Sequence, residues 1–353
     1  MRPRIPFLLK MKRLIFVFLT LVILFAAASC KKEQERFSAY SFDFFDTATT
    51  VIGYADSKEE FDKVVDGIFA ELEEYHRLYT IYNRFDGLNN MRTVNTSEGK
   101  VTVDKKIVDM LSFSKEMYDL TEGRTNVALG SVLSIWHSYR QTGTNHPERA
   151  ELPPMEKLLL AAEHTDIDSI VIDRENLTVE RLDKDVTLDV GAVAKGYAVA
   201  RVAESLRESG ISGYLLNVGG NVCTVGTRAD GTKWAIGIEN PAGDEENPYV
   251  AYLDLADKSV VTSGAYQRYY FVNGEKYHHI IDPDTLMPGV NYMSVSVICD
   301  DSGMGDALST ALFCMDVDRG LTLVESLVGV EAMWVLPNGE QIYSGGFSEY
   351  ETK

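Results

Sequence analysis

The chain is short of cysteine, of basic charge and of long apolar runs, and each shortage excludes something. Only four cysteines occur in 353 residues, at positions 30, 223, 299 and 314. The last three stand singly, with no Cys-x-x-Cys spacing, so no zinc or iron–sulfur centre is indicated. They read as buried free thiols. Lys and Arg number 34 against 53 Asp and Glu, a formal charge of −19. Nucleic-acid binding needs a basic surface that displaces counterions, so that partner class is excluded. An acidic protein that handles phosphates must instead supply a local cation, either a metal ion or a placed lysine. The apolar run Leu14–Phe25 falls short of the ~20 residues that span a bilayer. No repeat, low-complexity tract or internal linker interrupts residues 40–350. With 45% hydrophobic and 25% charged residues, the composition is that of a folded soluble protein.

What is present begins with a targeting segment. Arg2, Arg4, Lys10, Lys12 and Arg13 precede the apolar run, which ends in Ala26-Ala27-Ala28-Ser29-Cys30. A basic start, a short apolar stretch and small residues at the cut describe a secretory signal over residues 1–29. Cys30 directly after Ala-Ala-Ser has the form of a lipobox, with Ala27 where Leu is more usual. That form implies a diacylglycerol on the Cys30 sulfur and a lipid-anchored, extracytoplasmic protein; a plain signal with a chance Cys is the alternative. Cutting after Ser29 removes five basic and no acidic residues, taking −19 to −24. Residues 30–40 read as a polar tether and 41–350 as the folded body.

Hydrophobic spacing predicts an amphipathic helix over 58–79, through Phe61, Val64, Val65, Ile68, Phe69, Leu72 and Tyr75. A strand is expected from Tyr40 to Ala55 and an Asn- and Gly-rich loop from Asn83 to Asn95. Further helices are expected near 104–120, 126–139, 158–164, 197–209, 305–314 and 319–327. A hairpin pairs Ser169–Asp173 with Leu177–Leu182. Val186–Val190 and 213–218 read as strands, and strands dominate the remainder. Hairpins mixed with helices give an α+β class.

Three constellations carry chemistry. The first is Asp189-Val190-Gly191-Ala192-Val193-Ala194-Lys195-Gly196, at a strand-to-helix turn. A helix start offers unpaired N–H donors suited to a phosphate, and Lys195 a mobile cation. It is neither a Walker loop nor GxGxxG, so glycines serving only the turn remain the alternative. The second is His278-His279-Ile280-Ile281-Asp282-Pro283. Neighbours on a strand face opposite ways, so at most one His enters a given site. That one could serve as a general base, and an ordinary hydrogen-bonded His is the competing reading. The third is Gly305–Leu312, where Asp306 and Thr310 lie one helical turn apart. A carboxylate and a hydroxyl on one face are hard oxygen ligands for Mg²⁺; otherwise Asp306 only caps the helix.

Taken together these motifs resemble the FAD:protein FMN transferase (ApbE) family. The resembling stretches are Phe45-Asp46-Thr47, Gly123–Trp136, DVGAVAKGYA, Asn217-Val218-Gly219-Gly220, Thr262-Ser263-Gly264, HHIIDP and DALSTALF. The resemblance spans residues 42–347 and implies a T-fold-related mixed α+β architecture with antiparallel sheets and packed helices, making 41–350 the catalytic domain. It implies Mg²⁺-dependent transfer of FMN from FAD to a Thr or Ser of an acceptor protein, releasing AMP. Hydrolysis of FAD to FMN and AMP, or flavin carriage by a non-catalytic lipoprotein, are the alternatives. By motif, Asp189, Lys195 and Ile280 would contact FAD, as would Phe85, Arg124, Thr125 and Asn126 by looser alignment. The Ala192 carbonyl, Asp306 and Thr310 would hold Mg²⁺, and His279 would be the base. Acceptors typical of the family are ion-pump subunits and extracellular reductases. The chain departs from the family pattern at Asp284 and Leu286 in place of the Arg and Gly of DPRTG. Asn126, Asn221 and Ala200 each stand where Asp is frequent.

Overall fold

The computed structural model describes residues 34–243 and 246–352. The signal segment and Cys30 lie outside them. An eight-stranded sheet forms from β1 (Glu35–Ser41), β2 (Thr49–Ala55), β3 (Tyr214–Val218), β4 (Asn221–Val225), β5 (Ser259–Gly264), β6 (Ser294–Cys299), β7 (Glu331–Val335) and β8 (Gln341–Tyr343). Its spatial order is its chain order, and every neighbouring pair is antiparallel. Antiparallel neighbours need no crossover, so each excursion leaves the sheet and returns one place further along. The longest, between β2 and β3, holds the helices α1 (Lys58–Tyr79), α2 (Lys105–Leu120), α3 (Gly130–Asn145) and α4 (Ala194–Glu208). The hairpin Trp234–Glu239/Tyr249–Leu255 lies between β4 and β5, and Tyr269–Val272/Glu275–His278 between β5 and β6. Helix α5 (Ser302–Phe313) and the helix Val317–Ser326 lie between β6 and β7.

Strand period fixes the two faces of the core. On the wholly buried β6, Val295, Val297 and Cys299 pack against α5, while Ile298 packs with Trp234, Ile236 and Leu253 of the first hairpin. Helix α1 buries Phe61, Val65, Ile68, Leu72 and Tyr75 as its spacing predicts. Its N-terminus is capped by Ser57, whose side chain accepts the Glu60 N–H.

The structure differs from the sequence reading at identifiable places. Glu35–Ser41 is an edge strand rather than a polar tether. The expected strand over 40–55 is broken by a turn at Phe45 and Asp46, with φ of 53° and 52°. Thr47 of that turn packs on Gly219 (φ +55°), where a Cβ would collide with the Thr47 side chain. The loop 83–95 holds the start of a short helix, Met91–Thr96, set by a capping box on Asn90. Val186–Val190 buries Val186, Leu188 and Val190 but pairs with no strand. Instead the Asn95 carboxamide donates to the Leu188 carbonyl and accepts its N–H, both at 2.8 Å, in place of a ladder. Helix α4 begins at Ala194, so Lys195 and Gly196 sit in its first turn. Helix α5 begins at Ser302 and is capped by Asp301, which accepts the Gly303 and Met304 N–H groups. Asp306 is therefore not the cap.

Helices α4 and α5 cross in close contact at Gly196. A Cβ there would meet Asp306 Cβ at 2.5 Å and Asn221 Nδ2 at 2.8 Å, and would press on the Ser302 carbonyl. Gly196→Ala is expected to destabilise the fold by ~1–3 kcal/mol in urea unfolding, because backbone must move to admit the methyl. Cys223, Cys299 and Cys314 are buried free thiols whose titration burial pushes upward. The native protein should leave all three unreactive toward a thiol reagent until denaturant is added.

Candidate functional site

The crossing of α4 and α5 gathers the first set of residues. Lys195 Nζ lies 2.6 Å from Asn221 Oδ1 on β4 and 3.3 Å from Asp306 Oδ1 on α5. The other oxygen of that buried carboxylate accepts the Gly196 N–H at 2.8 Å. A helix start is the positive end of its dipole, so a carboxylate placed there is stabilised. This bond has a second effect. Gly196 N–H is the group that would reach the Ala192 carbonyl four residues back. Because it turns to Asp306, the first turn closes on Val193, through the Tyr197 N–H at 2.9 Å. The Ala192 carbonyl therefore receives no backbone hydrogen bond among the described residues.

One turn beyond Asp306, Thr310 is the half-buried position in the otherwise buried run 305–313 of α5. Its Oγ1 is 3.4 Å from Ser263 Oγ on β5, which is 2.9 Å from Ser309 Oγ. An orphaned carbonyl, a carboxylate and a hydroxyl are hard oxygen donors, the set that suits Mg²⁺. The residues present therefore fit such an ion.

A second group gathers around Asp189. Its Oδ1 accepts the Gly191 N–H at 2.9 Å, fixing the turn into α4. Burial raises its titration, against the pull of that bond and of His137, Arg140 and Arg268. His137 and Arg140, both on α3, touch at 3.2 Å between Nδ1 and Nη2. Burial lowers both, and each is lowered further by a neighbouring guanidinium, Arg140 for His137 and Arg268 for Arg140. The Tyr82 ring lies 5.5 Å from that of His137, at 31°.

The two adjacent histidines separate, as the strand argument requires. His278 donates from Nε2 to the Gly289 carbonyl at 2.5 Å and accepts the Ile280 N–H at Nδ1. Its ring also stands edge-on to Phe313, so it is a structural residue. The Nδ1 of His279 is buried without a hydrogen-bond partner. Burial, with Arg268, Arg140 and His278 nearby, pushes its titration down to about 3. At neutral pH it is an uncharged imidazole.

The remaining expected residues do other work. Arg124 binds Asp282 at 2.9 Å and pairs with Asp284, so it braces the turn after His279. Buried Thr125 donates to the Ala307 carbonyl at 2.7 Å and anchors α5. Asn126 bridges the Thr165 carbonyl and the Ala128 N–H. Ile280 is buried in the core beneath α5. Phe85 stacks under the Arg77 guanidinium at 4.8 Å; the aromatic against His137 is Tyr82, just before that loop. Tyr82, His137, Arg140, Asn221, Ser263 and Arg268 went unnoticed as site residues in the sequence reading. Ser263 and Asn221 carried a signal, the first through the Thr262-Ser263-Gly264 stretch and the second as the residue that follows Asn217-Val218-Gly219-Gly220.

Known proteins are similar to this chain in sequence and fold. A family model described as the ApbE family matches residues 45–334. A protein of Klebsiella pneumoniae (strain 342) named FAD:protein FMN transferase is 30% identical over 280 residues, 78% of this chain and 83% of that one. One of the same name from Haemophilus influenzae is 27% identical over 327 residues, covering 89% and 91%. The crystal structure of the ApbE protein of Thermotoga maritima superimposes with a TM-score of 0.79 at 26% identity, covering 90% of this chain and 100% of that one. The flavin transferase ApbE of Vibrio cholerae gives a TM-score of 0.73 at 23% identity, covering 90% and 99%, and so speaks for the fold. With its mixed α+β sheet and the family model covering most of its length, the chain belongs to the ApbE family.

Proposed function

We propose that this protein transfers FMN from FAD to a Thr or Ser hydroxyl of an acceptor protein. The observation that carries the reading is the Ala192 carbonyl, left open where the Gly196 N–H turns to Asp306, beside Lys195 and one helical turn from Thr310. In this reaction the acceptor oxygen bonds to the FMN phosphorus as the bond from that phosphorus to the bridging oxygen breaks. The bridging oxygen leaves with AMP, and the hydroxyl proton passes to the base. Mg²⁺, held by Ala192, Asp306 and Thr310, would neutralise phosphate charge. Lys195 places its ammonium at the same end and stabilises charge that grows on the phosphoryl oxygens. An aliphatic hydroxyl is a weak nucleophile at neutral pH, and a positioned base contributes ~10²–10⁴ in rate. His279 is the candidate: it is neutral at pH 7 and its buried Nδ1 is unpartnered.

Water in place of the acceptor hydroxyl would give FMN and AMP, so hydrolysis is the second reading for the same pocket. The sequence form of residues 1–30 supports export and a lipid on Cys30, with the acceptor on the extracytoplasmic side. An extracytoplasmic ion-pump subunit or reductase is the acceptor class we propose.

Incubation with FAD, Mg²⁺ and a Thr-bearing acceptor should yield one FMN per acceptor by mass spectrometry. FMN and AMP without labelled acceptor would replace transfer with hydrolysis, and intact FAD would leave only binding. Asp306→Asn keeps an acceptor for the Gly196 N–H but removes the charge. It should reduce metal-dependent turnover at least ~10²-fold in protein that remains folded, with a lowered thermal midpoint because Lys195 loses its countercharge; turnover at the wild-type level would dismiss the metal assignment. His279→Asn should lower kcat by ~10²–10⁴ while FAD affinity stays within a few-fold. A variant with unchanged kcat places the base elsewhere.

A further inference from the structure

Asn221 is fully buried at the start of β4, opposite Val218 of β3 on one side and Val261 of β5 on the other. Strands on both flanks hold its backbone, and its side chain stands beside the α4–α5 crossing. There Nδ2 is 2.8 Å from the place that a Cβ on Gly196 would take. Oδ1 accepts from the Lys195 ammonium at 2.6 Å, and the same ammonium lies 3.3 Å from Asp306 Oδ1. An ammonium offered an amide and a carboxylate closes preferentially on the carboxylate, at about 2.7–2.9 Å. Here the order is reversed: the neutral oxygen holds the cation, and the charged one is kept at the longer distance. Of the two Asp306 oxygens, Oδ2 is engaged by the Gly196 N–H at 2.8 Å, so Oδ1 is the one open to a further cation. The amide is locally costly, because its Nδ2 is buried without a hydrogen-bond partner.

We propose that Asn221 is a positioning residue that holds the Lys195 ammonium off Asp306 Oδ1 and so keeps that oxygen open for a divalent cation. This rests on the metal assignment made for flavin transfer, and it adds a residue from outside the oxygen-donor set. Lys195 and a divalent ion compete for one carboxylate oxygen. An ammonium in direct contact would occupy it and repel the ion. Asn221 gives the ammonium a second acceptor without adding charge. Because β4 is paired on both sides, that acceptor is fixed by the sheet rather than by the helix that carries Lys195. A carboxylate at this position would also hold the ammonium, but its charge would attract the divalent ion and cancel the charge of Lys195. With Asn the ammonium keeps more of its charge within the site, and the divalent ion is bound less tightly than it would be beside a second carboxylate.

The test is Mn²⁺ binding to the full chain without FAD, followed by loss of the free-ion EPR signal; Mn²⁺ takes the same oxygen ligands as Mg²⁺. Asn221→Leu keeps the approximate shape, removes both the acceptor and the orphan donor, and lets the ammonium close on Asp306. Its Mn²⁺ affinity should fall on the order of tenfold. Asn221→Asp, which keeps an oxygen for Lys195 and adds a charge, should bind Mn²⁺ more tightly than wild type. In a Lys195→Met background, Asn221→Leu should change the affinity by less than about twofold, since Asn221 acts through the ammonium. A loss there as large as in the wild-type background would overturn the proposal, because Asn221 would then be shaping the site by packing alone. Equal Mn²⁺ affinities in wild type and folded Asn221→Leu would overturn it as well. Should Asn221→Leu fail to fold, Asn221→Asp decides, and an affinity at or below wild type would overturn the proposal. Wild-type protein that binds no Mn²⁺ would instead overturn the metal assignment beneath it, while labelling of an acceptor with FMN tests flavin transfer separately.

Discussion

One buried carboxylate receives both a lysine ammonium and a helix N–H, and the site is organised around that meeting. Asp306 is only 5% exposed on a helix buried nearly all round. An isolated charge there would be costly, and breaking a buried pair costs more than the pair contributes. Lys195 supplies the countercharge, and Gly196 is the residue small enough to bring the two helices to that distance. The bond that docks α5 on α4 is also the bond that leaves the Ala192 carbonyl open. The contact that stabilises the crossing thus also decides which backbone carbonyl of the turn is left without a helical partner.

The sheet explains how distant segments reach one place. Because its strands run in chain order, each inserted unit starts and ends at neighbouring positions. Strand β5 carries Ser263 toward Ser309 and Thr310, then leads through Arg268 into the hairpin that ends at His278, just before His279. The long excursion between β2 and β3 delivers Tyr82, Arg140, Asp189 and Lys195. The result is an end rich in oxygen donors around Asp306 and an end with fixed cations around Arg140. A chain of net charge −19 needs that local reversal to hold an anionic dinucleotide.

Much of this was legible in the sequence where local signals agree with the fold. Helix α1 has period, cap and a last-turn His76 and Arg77 all pointing one way, and its bounds were read correctly. The α4 turn and the Asp306–Thr310 spacing were visible because they are contiguous. Long-range substitutions for local structure were not. Val186–Val190 has strand composition, but Leu188 bonds an asparagine 93 residues earlier and Thr187 makes only an isolated bridge to Leu129. Asp301 and Asp306 both look like helix starters, and only backbone geometry tells which one caps. Arg140 and Arg268 carry no signal at all. A lone arginine on a helix or in a turn reads as a solvated surface residue until a partner from another element is placed against it.

The departures from the family pattern follow the same electrostatic logic. Asp in place of Arg at 284 reverses a charge beside the active-site turn, and here Arg124 spans Asp282 and Asp284 to hold that turn closed. The turn is therefore braced by the segment before α3 rather than by a cation of its own. Asn in place of Asp at 221 removes a negative charge beside Lys195, leaving its ammonium balanced by Asp306 alone. Each substitution changes the local charge without altering the oxygen donors of Ala192, Asp306 and Thr310. The first takes a cation from the turn after His279, and Arg140 and Arg268 keep that neighbourhood positive from two other elements. The two guanidiniums whose charge reaches His279 thus come from α3 and from the turn after β5, elements far apart in the sequence.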